Sequence, residues 1–319
     1  MESFYTNKPS MKVKLIFNAG SGLNSQSPVQ LMDIIKEMQA WKFVPEAFLI
    51  KPDCDLKGAV RDAIAADIHM FVVCGGDGTV SSVAKELIGK NATLGIIPTG
   101  TQNNVAFSLG IPTDIPAAIA LLRNGRRTKA DVGMATCGDT ITTFLEVCSV
   151  GLFSTLFPSG DDIQHGKLLR IGDFLAALVT TPPADIHLLL NDNKEIHKMG
   201  HVLLVSNMPY IIRHYKVGAV TSFKDGLLDI LLFSGLSKLN LVGYVLKGSA
   251  TDTQKDPLFQ HFRVSKVDID TNPAMPIMAD GIALGEGKVR IEVQKQALAV
   301  MVGRRAPKKE KMQGEVIEK

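Results

Sequence analysis

Residues 72–80 read VVCGGDGTV, and this stretch decides the fold of the first half of the chain. An apolar run that ends in glycines and continues into a helical pattern is typical of a strand–loop–helix unit in an α/β sheet. Gly75, Gly76 and Gly78 allow close approach of a ligand to the backbone. The helix that follows would direct free N–H groups and the positive end of its dipole to the same place. The loop therefore predicts an anion site, most simply for phosphate.

Asp77 lies in the middle of this loop. A carboxylate repels a bare phosphate, so its presence predicts a Mg²⁺ ion or a polarised water between the two groups. The loop fits neither GxxxxGK[ST] nor GxGxxG. A plain turn is the alternative interpretation.

Two further loops of small and polar residues follow predicted strands of the same sheet. NAGSG (18–22) follows the first strand and IPTGTQNN (97–104) follows the fourth. The carboxyl ends of parallel strands meet at one edge of a sheet, where ligands bind. Three such loops at one edge predict a nucleotide site.

Strand and helix patterns alternate up to about residue 125, which indicates a parallel sheet covered by helices on both faces. After Arg127 short strand patterns dominate, with one helical stretch at 165–181. The predicted fold is an α/β nucleotide-binding domain at 1–128, a second β-rich, sandwich-like domain at 129–303, and a mobile polar tail at 304–319.

The composition excludes several classes of protein. The net charge of +3 is too small to indicate nucleic-acid binding. No apolar run is long enough to span a bilayer, and the N-terminus lacks the apolar stretch of a signal peptide, so a cytoplasmic location is expected. The four cysteines form no CxxC pair, which predicts reduced thiols rather than zinc. The histidines show no metal-ligand spacing and are predicted to be surface or packing residues.

In their order and spacing, NAGSG, GGDGT and PTGTQNN resemble the diacylglycerol-kinase-type lipid kinases. That family includes diacylglycerol, sphingosine and ceramide kinases and bacterial soluble lipid kinases. FLEVCSVGLF, SNMPY, FKDGLLDI and MADG extend the resemblance from about Met11 to Val302. It implies a nucleotide-binding α/β domain, a β-sandwich domain, and a site in the cleft between them. GGDGT is also found in NAD kinases and phosphofructokinases.

The resemblance implies ATP and Mg²⁺ as cofactors, and a diacylglycerol-like or sphingoid-like lipid as the acceptor. Asp77 would act near the metal-bound phosphates. A second Mg²⁺ would be held by the carboxylate of Asp225 and the carbonyl oxygens of Ser222 and Leu227, although residues 224–226 also fit a hairpin turn. The implied nucleotide-binding residues are Asn18, Ala19, Gly20, Ser21, Gly22, Val73, Cys74, Gly75, Gly76, Asp77, Gly78, Thr79 and Thr101.

The chain departs from the family at several places, including Ser81 and Ser82 where many members continue GGDGT as xNE, and two other departures bear directly on the acids of the site. Many members read NDF where this chain has Asn103-Asn104-Val105, and most have the general-base Glu of a DGE motif where this chain has Ile282. Loss of a general base costs about 10²- to 10⁴-fold in rate. Asp280 is predicted to replace it, with Glu286 as a second candidate. A turn at Asp280 and a solvated Glu286 are the alternatives.

Other functions stay open at this stage. The chain could be a nucleotide- or lipid-binding protein with weak or no kinase activity, or a kinase of a soluble acceptor, as NAD kinase is. The aromatic and basic residues of MPYIIRHYKVG (208–218) predict peripheral contact with the inner face of a membrane, with a partly buried segment as the alternative. A homo-oligomer is compatible with the sequence.

Overall fold

The structure is a computed structural model. It describes residues 9–21, 27–152, 182–211, 215–218, 221–234 and 259–303. Gly22, the predicted helix at 165–181 and the tail at 304–319 lie outside the described residues.

The first domain is built on a parallel sheet of the strands β1 (Met11–Phe17), β2 (Phe43–Leu49), β3 (Met70–Gly75) and β4 (Thr93–Pro98). Their spatial order is β4-β3-β1-β2, and each neighbouring pair is parallel. β4 is buried along its whole length and β3 along nearly all of it, so both appear in the sequence as apolar runs without alternation.

Helices cover both faces of this sheet. They are α1 (Ser27–Ala40), α2 (Leu56–Ala65), α3 (Asp77–Leu87), α4 (Asn104–Ser108) and α5 (Ile115–Asn124). Successive strand residues point to opposite faces. Phe71 and Val73 accordingly belong to the hydrophobic core under α2, α3 and α4, whereas Val72 and Cys74 belong to the core under α1 and α5.

The second domain consists of strands. They are β5 (Arg126–Cys137), β6 (Thr140–Phe144), β7 (Val147–Gly151), β8 (Ala184–Leu190), β9 (Lys194–Ser206), β10 (Tyr210–Ile211), β11 (Tyr215–Lys216), β12 (Leu228–Ser234), β13 (Phe259–Val264), β14 (Lys266–Asn272), β15 (Pro276–Ala279), β16 (Ile282–Glu286) and β17 (Val289–Val302). Among the described strands, pairing within this domain is antiparallel. The predicted fold class, α/β followed by a β-rich domain, is confirmed.

β17 joins the sheets of the two domains. Its first part pairs antiparallel with β14, and its last part pairs parallel with β4 through Ala299 and Val300. The sequence predicts two separate strands here, at 288–293 and 297–302. The structure has one strand with an irregular register between Gln294 and Leu298, where Gln296 has a positive φ of 52°.

Within the described ranges, no helix is both long enough and apolar enough to cross a membrane.

The pairing of β5 with β6 contains a glycine that the packing requires. Gly133 lies directly opposite Phe144, and a Cβ added to Gly133 would lie 2.1 Å from Cζ of that ring. Gly133→Ala is expected to lower the free energy of unfolding by about 1–3 kcal/mol because it overpacks a buried site. Urea unfolding measures the change.

Gly78→Ala is the matched control, because a Cβ at this position in α3 would meet nothing within 4 Å. We expect this variant to be unchanged or slightly more stable, since alanine favours a helix over glycine. Equal unfolding midpoints for the two variants would contradict the packing given for β5 and β6.

Candidate active site

The three loops predicted from the sequence lie side by side at the carboxyl edge of the first sheet. The N–H of Asn18 donates to the carbonyl oxygen of Cys74 at 3.0 Å, and the N–H of Thr99 donates to that of Gly75 at 3.2 Å. The hydroxyl groups of Ser21 and Thr99 are 3.0 Å apart. The carboxyl ends of β1, β3 and β4 therefore form one continuous polar surface.

Glycines allow the loops to touch. A Cβ on Gly100 would lie 2.3 Å from Cα of Gly76, and a Cβ on Gly75 would lie 2.8 Å from Cβ of Thr79. Thr79 is fixed in turn, since its Oγ1 accepts a hydrogen bond of 2.8 Å from Nδ2 of Asn18. Close packing between the loops is thus one reason for glycine at these positions, beside the approach of a ligand.

The remaining predicted nucleotide-binding residues differ in their access to this surface. Ala19 and Gly20 are exposed, and Thr101 is exposed at the mouth of a cavity. Val73 and Cys74 are fully buried in β3. Burial raises the pKa of Cys74 to about 12, so this thiol is protonated at neutral pH. The side chains of Val73 and Cys74 therefore form core contacts, and only their backbone is near the loops.

Asp77 is the first residue of α3, so the helix begins within the GGDGT loop rather than after it. Its Oδ2 accepts a hydrogen bond of 3.1 Å from the N–H of Asn104, and its Oδ1 accepts one of 3.0 Å from Val105. The carboxylate thus fixes the GGDGT loop against the start of α4. The residue that caps α3 is Gly76, which has no side chain to hydrogen-bond to the N–H groups of the first turn.

A cavity of about 240 Å³ lies between the two domains. Asp77, Gly78 and Thr101 are part of its first-domain wall, and Glu146, Met278 and Asp280 are part of its second-domain wall. The structure thus brings both predicted catalytic residues, Asp77 and Asp280, to one cavity.

Asp280 and Gly281 form the tight turn between β15 and β16, where Ala279 pairs with Ile282. Both turn residues have positive φ, 44° and 82°, as a type I′ hairpin turn requires. The turn interpretation of Asp-Gly is therefore correct, and the turn also faces the cavity. Glu286 is exposed at the opposite end of β16, where it pairs with Pro276.

The carboxylate of Asp280 accepts four hydrogen bonds. Oδ2 receives the hydroxyl of Ser81 and the N–H of Leu145 at 2.6 Å, while Oδ1 receives the N–H groups of Glu146 and Val147 at 3.0 Å each. A carboxylate offers about four acceptor positions. Asp280 therefore connects α3 of the first domain to the segment before β7, and its assignment as the base stays a prediction.

Glu146 is a functional candidate that the sequence reasoning missed. Glu146 is 9% exposed, and its Oε1 accepts a hydrogen bond of 2.8 Å from Nδ2 of Asn104. The available signal was a lone acid inside the apolar run FLEVCSVGLF, which is unusual because buried carboxylates are rare unless paired.

Lys85 brings a positive charge to the same region. Burial lowers the pKa of its ammonium group, while the nearby charge of Asp280 acts in the opposite direction. Its Nζ donates to Oγ1 of Thr142 at 3.3 Å. Lys85 therefore offsets part of the negative charge on this side of the cavity.

The second-domain metal ligands implied by the family resemblance lie at a turn where several acidic side chains are close together. Burial raises the pKa of Asp225, with smaller contributions from Asp229 and Asp131, although the contact with Arg263 opposes the shift. One carboxylate with backbone carbonyl oxygens is a donor set that suits Mg²⁺. The residues thus fit a hard cation, but Arg263 already supplies one positive charge to Asp225.

His187, Glu195 and His197 form a cluster of metal-ligating types that spacing along the chain does not reveal. His187 and His197 are directly paired across β8 and β9, and their rings stack with centroids 4.1 Å apart and planes 12° apart. An imidazole binds a metal in its ring plane, and stacked parallel rings share no such point. The cluster fits the predicted surface role of these histidines in this conformation.

Comparison with known proteins identifies both domains. Residues 12–135 match the diacylglycerol kinase catalytic domain, and residues 164–302 match the YegS C-terminal NAD kinase beta sandwich-like domain. The chain therefore contains the two domains of the diacylglycerol-kinase-type lipid kinases, and the resemblance inferred from its motifs is confirmed.

Individual relatives agree with these domains. The diacylglycerol kinase of Bacillus subtilis is 25% identical over 236 residues, covering 71% of this chain and 75% of that protein. An uncharacterized protein of Synechocystis is 26% identical over 237 residues, which are 72% of this chain but 54% of that protein, so the chain spans about half of its length. The crystal structure of a diacylglycerol kinase from Bacillus anthracis shares the fold, with a TM-score of 0.69, 21% identity, and coverage of 92% of this chain and 97% of that one.

Binding of Mg²⁺ at the Asp225 turn can be tested in nucleotide-free protein. If this turn binds Mg²⁺, adding Mg²⁺ to EDTA-treated protein should raise the thermal midpoint in a saturable way, because the ion binds only the folded state. Asp225→Asn should remove most of that rise.

Asp139→Asn, which alters an exposed carboxylate at the turn between β5 and β6, is the control and should respond to Mg²⁺ as the wild type does. A wild-type midpoint that does not respond to Mg²⁺ would mean that side chains of the protein, Arg263 among them, supply the positive charge at this turn.

Proposed function

We propose that this protein is a lipid kinase that transfers the γ-phosphate of ATP to a hydroxyl group of a diacylglycerol-like or sphingoid-like lipid. The observation that carries the proposal is the cavity between the domains, which has the GGDGT loop on one wall and residues of the second domain on the other. Both domains match those of diacylglycerol-kinase-type proteins.

The first-domain wall suits the nucleotide phosphates. The loops after β1, β3 and β4 meet there, and the first turn of α3 directs N–H groups and the positive end of its dipole toward the same edge. Asp77 would face Mg²⁺ bound to the phosphates, and the ion would neutralise charge on the transferred group. Phosphoryl transfer depends mainly on such positioning and charge neutralisation.

The second-domain side suits an amphipathic acceptor. Val147 and Met278 contribute apolar surface to the cavity, beside the polar Ser149. In α4, Phe107 is 42% exposed and packs edge-to-face on Tyr210, with ring centroids 4.7 Å apart. This aromatic pair is consistent with peripheral contact at the inner face of a membrane, where the lipid would be captured.

A nucleotide- or lipid-binding protein with little turnover is the second candidate. It is favoured by Ile282 at the position of the usual base and by the four hydrogen bonds that Asp280 already accepts. A kinase of a soluble acceptor is a third candidate, and the choice of acceptors in the assay separates all three.

The proposal is tested by transfer of label from γ-³²P-ATP and Mg²⁺ to mixed micelles of dioleoylglycerol, sphingosine or total lipid extract, with NAD⁺ as a soluble acceptor. The wild type should label a lipid. Asp77→Asn should lower the rate by about 10²-fold or more, since it removes the negative charge that would face the Mg²⁺ bound to the phosphates. The remaining amide oxygen can still accept a hydrogen bond from the start of α4.

Asp114→Asn is the matched control, because Asp114 also accepts a backbone N–H, from Ala117 at 3.0 Å, but at the start of α5. It should keep wild-type transfer. ATP binding without label in any acceptor would support the binding protein instead, and label in NAD⁺ alone would support the soluble acceptor.

A further inference from the structure

We propose that Glu146 is the general base of this kinase and that Asp280 positions it. The inference rests on the proposed function, which requires removal of a proton from the acceptor hydroxyl. It concerns a position at which neither the motifs nor the matched domains assign a catalytic role.

Glu146 meets the geometric requirements of a base. It lines the same cavity as Asp77 and Gly78. An acceptor hydroxyl in this cavity would therefore lie between the GGDGT loop, where the phosphates are expected, and the carboxylate of Glu146. Its side chain is held in place, because Oε1 accepts a hydrogen bond of 2.8 Å from Nδ2 of Asn104. A fixed carboxylate within a shielded cavity is suited to proton transfer.

The backbone of Glu146 is held as firmly as its side chain. Its N–H donates to Oδ1 of Asp280 at 3.0 Å, and its carbonyl oxygen accepts hydrogen bonds from the N–H of Asn207 at 3.0 Å and the hydroxyl of Ser206 at 3.3 Å. Asp280 thus acts on the reaction through the segment that carries Glu146. A positioning role also agrees with the four hydrogen bonds that the Asp280 carboxylate accepts. They leave its oxygens little capacity to accept a proton from the substrate.

Two of the departures from the family pattern, at Ile282 and Asn104, are consistent with a base at position 146. Ile282 removes one carboxylate at the usual position, and its side chain is 44% exposed at the start of β16. Asn104 replaces an acid that would have lain within hydrogen-bond distance of Glu146. Two carboxylates at that distance repel each other, whereas the amide of Asn104 donates to Glu146 and orients it.

The chemical step balances without a further reactant. Glu146 accepts the proton of the lipid hydroxyl as the hydroxyl oxygen forms a bond to the γ-phosphorus. The bond between that phosphorus and the β–γ bridging oxygen breaks, and its electron pair leaves with ADP. Glu146 then releases the proton to solvent.

The test compares Glu146→Gln, Asp280→Asn and Glu286→Gln on the lipid that the wild type phosphorylates. Glu146→Gln keeps the size of the side chain and an oxygen for Asn104 but cannot take the proton. It should lower kcat by about 10²- to 10⁴-fold, with the KM for ATP and the thermal midpoint close to those of the wild type. Glu286→Gln alters an exposed acid at the far end of β16 and should leave kcat unchanged.

The pH profile separates a base from a positioning residue. The wild type should lose kcat/KM at acid pH as the base is protonated, and Glu146→Gln should lack this acid limb. Glu146→Asp should retain the limb with a lower kcat. Asp280→Asn should also retain it, while its thermal midpoint falls because four donors lose a charged acceptor. Of the residues that the structure describes, Asp77 and Asp280 line the cavity together with Glu146, and the charge of Lys85 acts on Asp280.

Two results would overturn the assignment while the kinase itself stands. One is a Glu146→Gln variant with kcat within about threefold of the wild type, far less than the loss expected for a base. The other concerns the pH profiles: Asp280→Asn loses the acid limb at an unchanged thermal midpoint, whereas Glu146→Gln keeps it. That result would make Asp280 the base. A wild type that labels no acceptor would overturn the proposed function and the base together.

Discussion

The carboxylate of Asp280 is the interaction on which the candidate site depends. It lies on the turn between β15 and β16, yet its hydrogen-bond donors are the hydroxyl of Ser81 in α3 and the three consecutive N–H groups of residues 145–147. Hydrogen bonds to a charged group are stronger than those between neutral groups. This one side chain therefore holds the helix that starts at the GGDGT loop against the segment that carries Glu146.

Asp77 has a comparable role within the first domain. By accepting the N–H groups of Asn104 and Val105 it connects the loop after β3 to the loop after β4, and through Asn104 it reaches Glu146. The carboxylates of Asp77, Glu146 and Asp280 are thus linked through hydrogen bonds of the backbone and of the Asn104 amide. Substitutions at two of them are expected to have non-additive effects on the free energy of unfolding, because residues in one hydrogen-bond network are coupled.

The sequence was sufficient to predict the features that depend on local residue patterns or on the common geometry of parallel β-sheets. The apolar runs predicted β1, β3 and β4, and the rule that parallel strands share a carboxyl edge placed the three loops together. A turn at Asp280-Gly281 was the alternative interpretation of that pair, and the structure shows it with two positive φ values. The helix expected after GGDGT begins within it, at Asp77, because a helix tolerates a glycine in its first turn.

Other features depend on pairings between distant residues. The donors to Asp280 lie 133 to 199 residues away in the chain, and no local pattern specifies them. Glu146 resembles an isolated acid in a buried strand until Asn104 and the cavity are seen next to it. The pairing of His187 with His197 depends on the register of β8 and β9, and the continuity of β17 depends on the left-handed conformation of Gln296.

The central claim is that both domains contribute walls to one site for nucleotide and lipid. Amide hydrogen exchange tests it most directly, with ATP, Mg²⁺ and the short-chain lipid dioctanoylglycerol added in turn. The account predicts that the nucleotide slows exchange in residues 75–80 and 99–104, and that the lipid then slows exchange in residues 276–284. Lipid-dependent protection that excludes residues 276–284, or nucleotide protection outside the three loops, would contradict it.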